Sequence, residues 1–153
     1  MLDTTFKRRK DFRISDTGLL QRARARLVRR VMPEIERLFF MKASRIERDI
    51  VGCYSAEDGG HFRPHRDNSP GITAHRRFAI SINLNDGFEG GGVYFPEYSQ
   101  RGYKAPPGWA LIFPCAILHA VEPVTAGRRY AYLPYLYDQA GEGLRLENRA
   151  GAA

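Results

Sequence analysis

From about residue 45 onward, turn clusters interrupt the chain before a helix-length pattern can develop. The breaks include Asp58-Gly59-Gly60, Asn68-Ser69-Pro70-Gly71 and Pro106-Pro107-Gly108. These residue types supply positive φ, a fixed φ, or local side-chain hydrogen bonds that compete with regular structure. Strands are expected between the breaks at 46–54, 61–67, 77–85, 91–95, 109–114, 118–124 and 128–137. Seven or eight short strands with this spacing imply a sandwich or barrel, here a jelly roll.

The front of the chain has a different period. Ser15 or Asp16 can cap a helix carrying Leu19, Leu20, Ala23, Leu27 and Val31. Pro33 suits the first turn of a second helix, expected over 33–43, with Glu34 and Glu36 near its positive end and Ile35, Leu38 and Phe39 as its stripe. The expected fold is therefore mainly β (α+β), a jelly roll backed by two N-terminal helices. Its divisions are a helical support at 1–44, a core at 45–138 and a small, polar, loosely held tail at 139–153.

At 153 residues this is one domain, large enough to bury its own core. Its apolar runs are too short to span a bilayer, and the basic N-terminus has no apolar stretch behind it, which argues against a secretory signal. Cys53 and Cys115 lie far apart and read as reduced, partly buried thiols of a cytoplasmic protein. The net charge of +7 is N-terminal: residues 1–50 hold 14 Lys/Arg against 7 Asp/Glu, and the remainder holds 10 of each. Attraction to nucleic acid would account for this, but a solvated helix face is the favoured reading because aromatic residues are not interleaved with the arginines.

Within the β-rich body, His65-Arg66-Asp67 ends an expected strand just before a turn. Side chains two apart on a strand point to the same side, so His65 and Asp67 share a face at the barrel mouth. His119 lies in another strand. Two imidazoles and a carboxylate on one face of a metal leave coordination positions open, which suits Fe(II) and O2 chemistry. The same donors also suit Zn2+ with a bound water, although no nearby glutamate has the spacing of a general base. Arg129 opens the strand Arg129-Tyr130-Ala131-Tyr132-Leu133 and can project inward, where a lone cation is costly to bury. A dicarboxylate such as 2-oxoglutarate would chelate the metal at one end and meet Arg129 at the other. Arg128 competes for that role, but alternation admits only one of the pair, and Arg129 is assigned.

The region from Val51-Gly52-Cys53-Tyr54 through Asp138 resembles the catalytic domain of Fe(II)/2-oxoglutarate-dependent dioxygenases of the prolyl 4-hydroxylase type. The resemblance rests on Gly60-His61-Phe62-Arg63-Pro64-His65-Arg66-Asp67-Asn68, on Asn83-Leu84-Asn85 and on Gly90-Gly91-Gly92-Val93-Tyr94-Phe95-Pro96. It continues in His119-Ala120-Val121-Glu122-Pro123-Val124 and Arg129-Tyr130-Ala131. It implies a double-stranded β-helix in which His65, Asp67 and His119 bind iron and are catalytic, and Arg129 binds the distal carboxylate of 2-oxoglutarate. Tyr54, in the first core strand, is implied as a second ligand of that carboxylate. Some relatives have a tyrosine where this chain has Asn83, a departure that gives Asn83 no expected role. The implied requirements are Fe(II), 2-oxoglutarate and O2, with ascorbate as an accessory. The implied reaction hydroxylates a protein side chain, proline among them, or a small molecule, and releases succinate and CO2. A non-catalytic jelly-roll module that binds metal or ligand is the alternative.

Other motifs carry less. His65-Arg66-Asp67 also spells a kinase tripeptide, but Ile72 stands where that motif needs asparagine. Gly90-Gly91-Gly92 is read as a sharp turn rather than a phosphate cradle, since no helix pattern follows. His61 and His75 are read as exposed or hydrogen-bonded. Arg76 and Arg77 fit either a substrate entrance or a solvated turn, and Trp109 fits a strand core or rim. Residues 69–77 and 97–107 are the expected walls of the entrance. No membrane partner is expected.

Overall fold

In the computed structural model, which describes residues 5–151, the chain opens with β1 (Lys7–Arg8) and β2 (Lys10–Arg13), then α1 (Thr17–Arg30) and α2 (Met32–Phe39). The body runs through β3 (Arg45–Glu47), β4 (Ile50–Ser55), β5 (His61–His65), β6 (Phe78–Asn83), β7 (Phe88–Gly90) and β8 (Val93–Phe95). It ends with β9 (Ser99–Tyr103), β10 (Ala110–Pro114), β11 (His119–Val121), β12 (Val124–Tyr132), β13 (Tyr135–Tyr137) and α3 (Gln139–Ala150). One sheet has the order β1-β5-β11-β8-β9, and the larger follows β2-β4-β12-β6-β13-β3, with β10 on β6 and β7 on β12. All the pairings are antiparallel, and the curled sheets are consistent with a jelly roll.

Strand β6 explains how the layers stack. Phe78, Ile80 and Ile82 pack with Leu27, Val31 and Ile35 of the N-terminal segment, together with Tyr132 and Leu136. Ala79, on the other face, joins a second core that includes Tyr54, Val93, Phe113 and Val121. A strand buried on both faces needs apolar residues at successive positions, which is why this one reads Phe-Ala-Ile-Ser-Ile. Full burial of Leu27 or Ile35 contributes roughly 1.5–3 kcal/mol each.

Helix α1 is capped by Asp16, whose carboxylate accepts from Leu19 N at 2.7 Å. The helix meets the core from Ala23 onward, so Leu19 stays exposed while Leu27 is buried. Helix α2 stops at Phe39, short of residue 43, because Phe40 turns left-handed at φ 55°. Among the described residues no helix is long and apolar enough to cross a membrane.

Several expected strands are divided. The 46–54 strand breaks at Arg48, which has φ 64°. The 128–137 strand begins earlier, at Val124, and is interrupted at Leu133-Pro134. Strands β1, β2 and β9, like the short β7 on β12, are not expected from the sequence. Their sequences lack apolar alternation, and their place comes from edges offered by β5, β4 and β8. Between β1 and β2 the chain crosses from one sheet to the other at Arg9.

The segment from Gln139, expected to be loosely held, is instead a helix. Asp138 caps it by accepting from Gly141 N at 2.7 Å, and Arg145 pairs with Glu142 at 2.8 Å. The helix is held down by Asn148 Nδ2, which donates to Gly71 O at 2.8 Å. Gly141 lies close against His75 O, where a Cβ would come within 2.7 Å.

Candidate metal centre and anion pocket

Strand register brings the two histidines together. His119 on β11 stands directly opposite His65 on β5, and opposed residues of an antiparallel pair project to the same face. Asp67 lies two residues beyond β5, its backbone N–H bonded to Cys115 O at 3.0 Å. The His65 Nε2 to Asp67 Oδ1 distance is 3.5 Å, and that from His119 Nε2 to Asp67 Oδ2 is 3.2 Å. One donor atom from each residue lies within 4.8 Å of the others.

The ring tautomers follow from the neighbours. His65 Nδ1 faces Arg63 O at 2.7 Å, and His119 Nδ1 faces Ile117 O at 3.0 Å. A carbonyl oxygen only accepts, so each Nδ1 carries the proton and each Nε2 presents a lone pair inward. Two lone pairs and a carboxylate converging on one point repel unless a cation sits among them. The donor set therefore fits a divalent metal. Phe62 stacks on His65 with ring centroids 3.6 Å apart, and Phe113 lies 4.6 Å from His119, which fixes both imidazole planes.

Tyr135 completes the carboxylate's surroundings by donating to Asp67 Oδ1 at 2.9 Å. Burial would raise the Asp67 pKa, but His119 and His65, whose Nε2 atoms donate to it when protonated instead of metal-bound, hold it far below the usual carboxylate range. The Tyr135 phenol is pushed well up, first by its own burial and then by the Asp67 charge.

A second set of groups lines the same cavity. Arg129 is buried at 2% exposure, whereas Arg128 points outward to Glu57 at 2.7 Å. Arg129 Nε donates to Asn83 Oδ1 and its Nη2 to Ser81 Oγ, both at 2.8 Å. Its Nη1 is buried without a hydrogen-bond partner. Burial pulls the Arg129 pKa below its ordinary value, Tyr54 opposes this, and nearby Arg9 adds to it. This is a guanidinium short of a counter-anion. Tyr54, opposite Arg129 in the β4–β12 register, is buried with its ring 5.2 Å from the guanidinium carbon.

The triad, Arg129 and Tyr54 thus meet in one cavity. Besides Tyr135, three more residues that sequence reasoning left without a role join them. Asn83 and Ser81 hold Arg129, and Asn83 is itself fixed by donating to Ala105 O at 2.8 Å. The sequence does carry a signal for this pair, two polar residues on alternate positions of an otherwise apolar strand. Arg9 lines the cavity too, hidden in the run Lys7-Arg8-Arg9-Lys10.

The remaining histidines stand apart. His61 faces the carbonyls of Gly59 and Thr5, and buried His75 bonds to Glu47 at 3.0 Å. Arg76 bonds to Glu47 at 2.5 Å and lies over the Tyr135 ring at 4.1 Å, while Arg77 reaches Asp138 at 3.4 Å. Arg76 is thus joined to the site through Tyr135. Glu97 accepts from Arg66 at 2.7 Å beside the start of β11. Trp109 is exposed, and both cysteines are buried and free.

Residues 51–137 match the family described as the 2OG-Fe(II) oxygenase superfamily. A PKHD-type hydroxylase of Synechococcus sp. is 28% identical over 117 residues, covering 69% of this chain and 51% of its own length. The chain therefore spans about half the length of the curated relatives it matches. Among solved structures, a Trichoplax adhaerens prolyl hydroxylase in complex with a hypoxia inducible factor peptide fragment aligns with a TM-score of 0.70 at 20% identity. It covers 91% of this chain and 67% of its own. A Pseudomonas putida prolyl-4-hydroxylase aligns with a TM-score of 0.68 at 15% identity, covering 90% of this chain and 76% of its own. At these identities the alignments show a shared fold.

Proposed function

The chain belongs to the 2OG-Fe(II) oxygenase superfamily, and from that premise we propose that it is an Fe(II)- and 2-oxoglutarate-dependent dioxygenase hydroxylating a peptide side chain, proline foremost. The catalytic unit is the double-stranded β-helix of residues 45–138, backed by the two N-terminal helices. His65, Asp67 and His119 would hold Fe(II). Arg129 and Tyr54 would hold the distal carboxylate of 2-oxoglutarate.

The observation that carries this reading is one atom. Arg129 Nη1 is buried without a partner, in the cavity where the three donors converge. Charge balance agrees. Asp67 and Arg129 cancel, and Arg9, Arg48 and Lys7 share Asp11, so a bound Fe2+ leaves a positive excess that a dicarboxylate dianion would offset.

Iron bound there would supply the O2 activation that couples oxidative decarboxylation of 2-oxoglutarate, giving succinate and CO2, to insertion of one oxygen atom into a substrate C–H bond. The chain's own residues supply orientation. Backbone carbonyls hold both Nε2 atoms inward, Tyr135 fixes the Asp67 carboxylate, and Asn83 and Ser81 hold Arg129 with its Nη1 amino group free. Phe62 and Phe113 wall the imidazoles with apolar surface and limit water. A peptide is favoured over a small molecule because a solved protein of the same fold holds one.

The test is to incubate the protein with Fe(II), 2-oxoglutarate and a panel of proline-containing peptides, following succinate and the mass of each peptide. Succinate should form in step with a peptide that gains one oxygen, and Asp67→Ala should abolish both. Absence of coupled turnover on every peptide would overturn the peptide assignment.

A further inference from the structure

Arg9 is unlike the other cations around it. Lys10 beside it is exposed, yet only 6% of the Arg9 side chain is accessible. It sits where the chain crosses between the sheets, and its side chain enters the cavity that holds the metal triad and Arg129. Two features make this a built site. Asp11, two residues on, takes Nε at 2.5 Å and Nη2 at 2.9 Å as a bidentate fork, so the charge enters already paired. Gly52 leaves the space, since a Cβ there would lie 2.8 Å from Arg9 Cδ.

The third nitrogen, Nη1, donates to the Tyr54 hydroxyl at 3.1 Å. Tyr54 thereby stands between two guanidiniums, with its ring centroid 5.6 Å from the Arg9 carbon and 5.2 Å from that of Arg129. A guanidinium has donors and no acceptor. With both neighbours able only to donate, the phenol oxygen accepts and its own proton is directed away from them, into the cavity. The acceptor the cavity would offer is the carboxylate that Arg129 Nη1 also faces.

We infer that Arg9 is a positioning residue for the co-substrate. It acts through Tyr54, orienting the phenol O–H toward the distal carboxylate of 2-oxoglutarate. The N-terminal β1–β2 strap is then a working part of the co-substrate pocket. The inference rests on the dioxygenase reading proposed above.

The test is calorimetric titration of 2-oxoglutarate into the full chain loaded anaerobically with Mn(II), comparing wild type, Arg9→Met, Tyr54→Phe, the double variant and Arg129→Met. Losing one oriented hydrogen bond should raise the Kd roughly three- to tenfold in Arg9→Met. Tyr54→Phe should weaken binding at least as much, and Arg9→Met in that background should add nothing. In turnover, Arg9→Met should raise the KM for 2-oxoglutarate and leave kcat at saturation unchanged, a split that general loosening of the fold would not give. Unchanged affinity in Arg9→Met alongside a loss in Arg129→Met would overturn the role of Arg9 and leave the dioxygenase reading standing. Unchanged affinity in Arg129→Met would overturn the reading beneath it. Should Arg9→Met not fold, Tyr54→Phe decides, because wild-type affinity there breaks the link through which Arg9 acts.

Discussion

Replacing Arg129 by methionine removes a buried group whose three nitrogens have different surroundings. Nε donates to Asn83 and Nη2 to Ser81, and Nη1 is the nitrogen left with no protein partner to meet a ligand. The variant therefore loses at least one charge-assisted hydrogen bond to the dicarboxylate, about 1.5–3 kcal/mol for the first, or a rise in Kd of roughly 10- to 150-fold or more. Folding should respond less, because two effects oppose. Asn83 and Ser81 lose a donor, at about 1–3 kcal/mol for each group left unsatisfied. Against this, the cost of burying an uncompensated cation disappears. Calorimetry with Mn(II)-loaded protein measures the Kd, and Arg128→Met is the control, since its side chain points outward to Glu57. An unshifted Kd in Arg129→Met, or an equal shift in Arg128→Met, would refute the reasoning.

Other expectations concern the surroundings of the site. Tyr135→Phe leaves Asp67 Oδ1 without its phenol donor and should weaken metal binding by about tenfold or more in equilibrium dialysis, as loss of a group orienting a ligand does; unchanged affinity would count against it. Glu47 is a carboxylate that burial would push up, yet bonds from His75 and Arg76 hold it below its ordinary value. Its contribution to stability is full above that ordinary value and is lost as pH falls through the lower folded value. The melting-temperature gap between wild type and Glu47→Gln should therefore shrink between about pH 5 and pH 3, and a constant gap would contradict this. Cys115, fully buried, has its thiol pKa pushed well up, first by burial and then by the Asp67 charge. It should resist alkylation in the native protein and react on unfolding, as mass spectrometry of labelled peptides would show.

How much of this was legible in the chain depended on whether the signal was local. His65 and Asp67 announce a shared face by their spacing, whereas strand alternation admits only one of Arg128 and Arg129, and burial in the assembled sheet selects Arg129. His119 could be nominated as a partner, but the β5–β11 register that sets it opposite His65 is a property of the assembled sheet. Arg9 had no local signal at all, because β1 and β2 read as a run of charges and form only where sheet edges accept them. The C-terminal helix was missed for a related reason. Its sequence, QAGEGLRLENRA, is polar with two glycines, and the Asp138 cap, the Glu142–Arg145 pair and the bond from Asn148 to the 69–75 loop hold it. Arg48 illustrates the opposite failure. Nothing in 46–54 marks a break, yet its positive φ divides the segment into two strands with different partners.

The central claim is that one cavity holds Fe(II) on His65, Asp67 and His119 and 2-oxoglutarate on Arg129. Anaerobic titration of the Fe(II)-loaded protein with 2-oxoglutarate, followed by visible absorption, tests it most directly. The account predicts a weak metal-to-ligand band that saturates at one 2-oxoglutarate per chain, vanishes in Asp67→Ala, and needs far more ligand in Arg129→Met. Stoichiometric iron with no band and no 2-oxoglutarate binding would contradict it.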